Sequence, residues 1–166
     1  MGFFDKAKQF LGGKNMASVA ITVIERQPAE SASFPIGDSV LKGTMVITVQ
    51  QDCTLLATKY ELWLYVKKDG VDSPNLVRAE QDPAPNTSYS DDCLKMPIDL
   101  KAGQVITQPW MVMEVDIPAV LARNGITDPN AALGNSNVRL VVKCIADVKG
   151  SPFDPCAEVT VRLAPA

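Results

Sequence analysis

Between residues 138 and 163 the chain alternates in hydropathy twice over. Val138, Leu140, Val142, Cys144 and Ala146 form one set against Arg139, Val141, Lys143 and Ile145. Ala157, Val159, Val161 and Leu163 then oppose Glu158, Thr160 and Arg162. A period of two sends every second side chain to the same face, so each run predicts a strand with one side on a core. Lys149-Gly150-Ser151-Pro152 between them is a turn signal, and the pair predicts an antiparallel hairpin.

The same period governs three runs upstream. Val19, Ile21 and Val23 alternate with Ala20, Thr22 and Ile24; Leu41, Gly43, Met45, Ile47 and Val49 alternate with Lys42, Thr44, Val46 and Thr48. Tyr60, Leu62, Leu64 and Val66 alternate with Glu61, Trp63, Tyr65 and Lys67. Pro35-Ile36-Gly37-Asp38, Asp69-Gly70 and Lys101-Ala102-Gly103 break the chain between runs. A further strand is expected over about 104–116, at an edge, bulged or in two pieces because Pro109 falls within it. Strand after turn after strand, with no long helical pattern, predicts an all-β antiparallel sandwich over residues 18–166. Residues 69–97 and 117–137 read as long irregular segments, the first with a short strand at Leu76-Val77 and the second with a helical turn at Ala119–Arg123.

Only the N-terminus has a different period. Phe3, Phe4, Ala7, Phe10 and Leu11 fall at helical spacing with Lys6, Lys8 and Gln9 opposite, and Gly12-Gly13 follows. This predicts a short amphipathic helix over residues 1–13, marginal alone and in need of a surface. That surface is the chain's own sheet, a protein partner, or a membrane at its periphery.

At 166 residues, a single domain buries enough surface to fold without a metal or disulfide. The net charge of -3 argues against nucleic acid, whose phosphates call for a basic stripe. No stretch has the apolar length of a membrane span and no secretory signal is legible, so a cytoplasmic location is expected. Cys53, Cys93, Cys144 and Cys156 show no CxxC spacing. A hairpin about Gly150-Ser151 could set Cys144 opposite Cys156, but two reduced thiols are the expectation in that compartment.

The chain contains no histidine, which removes Ser-His-Asp and Cys-His catalysis and the His-bearing zinc sites together. Neither GxGxxG after a strand nor GxxxxGK[ST] occurs. Asp91-Asp92, Asp99, Asp147 and Asp154 are carboxylates near turns, which Asp commonly forms, and no calcium-loop spacing joins them. No cofactor is expected. Trp63 and Trp110, with Tyr60 and Tyr65, are candidates for an aromatic binding platform; with Tyr60 towards the core, Trp63 and Tyr65 share the opposite sheet face and are read as a contact surface or as the landing site of the N-terminal helix.

Taken together these segments resemble the arrestin-like fold, in particular the bacterial sporulation-control proteins. The resemblance runs from Met1-Gly2-Phe3-Phe4-Asp5-Lys6 and its Gly pair through Phe34-Pro35-Ile36-Gly37-Asp38-Ser39-Val40-Leu41-Lys42-Gly43, similar to the family's F-x-P-G-[DE]-x-V-x-G. It continues in Leu100-Lys101-Ala102-Gly103-Gln104 and Asp116-Ile117-Pro118, and closes on Asn137–Lys143 and Ala146–Pro155, its most specific part. Ile36 is inserted between Pro35 and Gly37, and Ala102 stands where the family has proline. The family's usual second sandwich has no counterpart, so no inter-domain polar residues carry over. The resemblance implies an immunoglobulin/arrestin-like sandwich acting as a scaffold, adaptor or regulatory module, without enzymatic activity. Candidate partner-binding residues are Phe3, Phe4, Phe10, Leu11, Trp63 and Tyr65. The alternatives are a homo-oligomer assembled through edge strands, or a carboxylate-loop sandwich binding sugar or calcium.

Overall fold

A computed structural model describes residues 15–83 and 94–166. The predicted helix over residues 1–13, with Phe3, Phe4, Phe10 and Leu11, lies outside them, as do Asp91, Asp92 and Cys93. The described strands are β1 (Ala17–Ile24), β2 (Gln27–Pro28), β3 (Ser33–Pro35), β4 (Val40–Val49), β5 (Cys53–Lys68), β6 (Val71–Asp82), β7 (Ile98–Leu100), β8 (Val105–Met113), β9 (Val138–Val148) and β10 (Cys156–Ala164). One α-helix, α1 (Ile117–Arg123), and two short 3-10 turns complete the set.

The strands form two sheets. The small sheet runs β2-β1-β4-β8, and the large sheet runs β3-β10-β9-β5-β6 with β7 on β5. Pairing is antiparallel except between β10 and β3, which run parallel through Arg162–Ser33, Leu163–Phe34 and Ala164–Pro35. One continuous core lies between the sheets, with Ile21, Leu41, Met45 and Ile47 from the small sheet and Leu62, Leu64, Leu140 and Val142 from the large one. These are the residues that the period of two assigns to a single face, and the result is an all-β sandwich.

The structure departs from the sequence reading at two strands. Residues 69–97 contain a twelve-residue strand, β6, where only Leu76-Val77 suggested one. β6 ends its sheet, so both its faces are partly exposed and no clean alternation is selected. It also carries Pro74, which an edge strand tolerates because its outward groups need no ladder partner. The link from β5 to β6 is Asp69-Gly70, at φ 51° and 81°, a tight hairpin turn with both residues left-handed. The second departure is β5 itself, which begins at Cys53 rather than near Tyr60, its first part paired with β7.

Pro109 is accommodated as expected of an edge: β8 is one continuous strand and ends the small sheet. Gln104 O accepts from Val49 N, 2.9 Å away. Alternation then turns the even-numbered residues of β8 towards β4 and the odd-numbered ones, Pro109 included, outwards. In the segment after β8, Asp116 caps α1 by accepting from Ala119 N (2.9 Å), and Ile117, Val120 and Leu121 seat the helix on the core. The final hairpin pairs Cys156 with Ile145 and Cys144 with Ala157. The two cysteines are therefore one register step apart and point to opposite faces, both as thiols.

Candidate binding groove

β6 and β8, the terminal strands of the two sheets, lie along the same side of the sandwich. Arg78 joins them, donating to Glu80 on its own strand (3.0 Å) and reaching Glu114 just beyond β8 (2.9 Å). A groove of about 550 Å³ opens there. Its apolar wall is Trp110, Pro109, Met111 and Met113, and Glu80 and Asp82 stand on the β6 side.

The floor rests on a glycine. Trp110 sits on the inner face of β8 directly opposite Gly43 of β4, and its ring lies where a side chain at 43 would be. A Cβ on Gly43 would come within 2.5 Å of the indole and 2.3 Å of the Val23 carbonyl. The β1–β4 register shifts between Ile21 and Val23, beside this contact. On its other side Trp110 stacks on Tyr60 of the large sheet, ring centroids 5.9 Å apart at 23°.

A polar network lies under this stack. The Tyr60 hydroxyl donates to Asp82 Oδ2 (2.9 Å), leaving the Thr58 hydroxyl, 2.6 Å away, as donor to Tyr60. Thr58 is fully buried, and burial pushes the Tyr60 phenol well above its ordinary range, with Asp82 adding to the rise. Gln108 approaches the same hydroxyl, yet its Nε2 has no hydrogen-bond partner among the described residues. Trp110 Nε1 also has no acceptor among them. A buried donor without a partner costs about 1–3 kcal/mol, so this corner is held in place against a local penalty by the packing around it.

Of the four aromatics singled out from the sequence, Tyr60 and Trp110 meet at the groove, and Trp63 and Tyr65 lie elsewhere. Tyr60 is in the core, and Trp63 and Tyr65 are half-buried on the outer face of the large sheet. There Trp63 Nε1 donates to Glu61 Oε2 (2.8 Å), and the Arg139 guanidinium covers Tyr65 at 4.4 Å from the ring centroid. Neither contributes to the groove. Of its own key residues, Tyr60 and Trp110 were among the aromatics read from the sequence as a possible platform, whereas Gly43 carried only the signal of a lone glycine within an alternating strand.

Apart from Glu80 and Glu114, which share Arg78, several carboxylates are tied to local partners. Asp52 accepts from Lys101 Nζ (2.8 Å) and Ala102 N (3.0 Å), which hold its pKa below the ordinary value. Asp99 accepts from Thr54, Asp154 from Val148 N and Asp128 from Asn130 N. Among the described residues no group of three or more His, Cys, Asp or Glu side chains is placed to hold a metal. No described helix is long and apolar enough to cross a membrane.

No protein-family model matches this sequence, and comparison with curated proteins finds no match. Among solved structures the chain is similar to Spo0M, the sporulation control protein of Bacillus subtilis, at a TM-score of 0.59 and 11% identity. That alignment covers 92% of this chain and 51% of Spo0M, so the chain spans about half the length of its structural relative. Pseudomonas fluorescens alkylpurine DNA glycosylase AlkC aligns over 95% of this chain and 33% of its own at 12% identity, and its TM-score of 0.41 carries no argument. The β-sandwich of this chain is thus a Spo0M-like fold.

Proposed function

We propose that this chain is a non-enzymatic scaffold or regulatory module of the arrestin-like type, which binds an extended segment of a protein partner along β8. The observation that carries this reading is the free edge of β8 beside an apolar groove. The odd-numbered residues of β8 face no strand among the described residues, and the row of their main-chain donors and acceptors, with Pro109 offering only its carbonyl, is a template for one more strand. Met111 and Met113 stand on that row, 47% and 48% exposed, and methionine adapts to varied partner side chains. The likeness to Spo0M supplies the fold, and a regulatory role is consistent with that protein's being a sporulation control protein.

The test is recovery of bound protein from native lysate by the wild-type chain, by Met111→Glu/Met113→Glu, and by Lys67→Glu on the other sheet. Loss of the same bound species from the β8 variant alone supports the reading. Equal recovery by all three removes β8 from it.

A second reading is favoured by the same geometry: β8 and β6 are long edges that could pair with another copy. Sedimentation over a wide concentration range separates the two. A mass that doubles with concentration and reverts in the β8 variant establishes the oligomer.

A further inference from the structure

The described methionines divide by environment. Met45 and Met96 are buried, and Met16 packs against the core. Met111 and Met113 are 47% and 48% exposed, and both line the groove of about 550 Å³ between β6 and β8. Trp110 and Val112 beside them are buried, so alternation turns both methionines outwards. Two residues apart on one strand, their Cα atoms are about 7 Å from each other and their thioethers share a face.

Cationic donors stand next to this pair. Lys42 is directly opposite Met111 in the β4–β8 register, and facing side chains of such a pair start about 4.5–5.5 Å apart at Cβ. Arg26 lines the same groove. Neither Lys42 nor Arg26 has an ion-pair partner among the described residues. A thioether sulfur is a weak acceptor and offers these cations little, whereas a sulfoxide oxygen is polar and accepts well.

We propose that Met111 and Met113 form a paired oxidation site, at which a hydroperoxide turns the apolar wall of the groove into a polar one that Lys42 stabilises. With hydrogen peroxide a sulfur lone pair attacks one peroxide oxygen, an S–O bond forms and the O–O bond breaks. The attacking oxygen's proton passes to the departing hydroxide, which leaves as water. Sulfur gives up two electrons and the peroxide takes them. Two thiols reverse the step, forming a disulfide while the sulfoxide oxygen leaves as water. Because both side chains point away from the core, the fold survives while the groove loses its affinity for apolar groups. Control of partner binding along β8 by this step rests on the function proposed above; the change of groove polarity does not.

The test treats the full chain with hydrogen peroxide, beside Met111→Leu/Met113→Leu. Peptide mass mapping locates the sulfoxides, and the apolar dye anilinonaphthalene sulfonate probes the groove. Met111 and Met113 are expected to react more than about tenfold faster than Met45, which reacts only when the core opens. Dye affinity is expected to fall about tenfold on oxidation, to return with methionine sulfoxide reductases and dithiothreitol, and to stay constant in the leucine variant. Oxidation of Met45 at a similar rate overturns the proposal. So does a dye affinity that oxidation leaves unchanged, an equal fall in the leucine variant, or no dye binding by the reduced chain. The urea midpoint is expected to drop further on oxidation of Lys42→Ala than of wild type, and an equal drop overturns the part given to Lys42. Partner recovery with Met111→Glu/Met113→Glu decides β8 binding separately. Recovery lost there but kept by the oxidised wild type overturns control by oxidation and leaves β8 binding standing; equal recovery there with a reversible fall in dye affinity removes β8 binding and leaves the oxidation site.

Discussion

The two sheets handle their outer faces in opposite ways. On the large sheet, charges on different strands meet one another: Lys59 with Asp147 (2.8 Å) and Lys143 with Glu158 (3.7 Å) on neighbouring strands, and Arg139 with Asp72 (2.9 Å) across β5. Trp63 and Tyr65 are tied into that lattice through Glu61 and Arg139. On the small sheet almost nothing outward is charged, and no ion pair crosses the three strands among the described residues. Its specific contacts are inside, where Gly43, Trp110 and Tyr60 stack across the sandwich. A face that satisfies itself suits water, whereas one that leaves apolar side chains unmatched suits a cover or a partner.

This contrast predicts where substitutions matter. Trp110→Ala empties the centre of the inner stack and is expected to cost about 4 kcal/mol in a urea titration. Gly43→Ala drives a methyl into the indole and the Val23 carbonyl, and about 2–3 kcal/mol is expected from overpacking. A Gly43→Ala chain with wild-type stability would show that the two sheets are not locked together at this point. Tyr60→Phe removes the hydroxyl between Thr58 and Asp82, at about 1–2 kcal/mol near neutral pH.

The Tyr60 phenol adds an alkaline signature. Its folded pKa is raised, first by burial, so the unfolded chain ionises first, near pH 10. Stability is therefore insensitive to this group below about pH 10 and falls as pH rises from there towards the folded value. In Tyr60→Phe that part of the alkaline loss disappears, which denaturant titrations at pH 9 and above would register.

Smaller effects belong to the outer faces. Arg139→Ala breaks both the Asp72 pair and the cover over Tyr65, yet exposed pairs are worth about 0.2–1 kcal/mol and are screened by salt. Met111→Ser should change stability least, by under about 0.5 kcal/mol, while reducing partner recovery. If Met111→Ser proved more destabilising than Arg139→Ala, the small sheet's outer face would already be part of a packed interface.

Legibility in the sequence followed burial. Strands with one buried face, β1, β4 and the β9–β10 hairpin, declared themselves by alternation, while Pro109 left β8 open as an edge strand, a bulged one or two pieces. β6 did not, since neither of its faces is selected for apolar residues. Its one local signal was Asp69-Gly70, a strong hairpin dipeptide that reads equally as the end of a strand. The split of Tyr60 from Trp63 and Tyr65 followed from parity alone. The groove did not, because Gly43, Tyr60 and Trp110 come from three strands and two sheets.

The sequence by itself determined which side chains turn inwards, because a period of two is a local property of the backbone. It also determined that histidine-based chemistry is absent. Only the tertiary structure decided which strands end the sheets, that Cys144 and Cys156 miss each other by one register step, and that Trp110 packs on a glycine. Those outcomes depend on pairing between residues far apart in the chain, and strand order and register are set when two faces close on a common core.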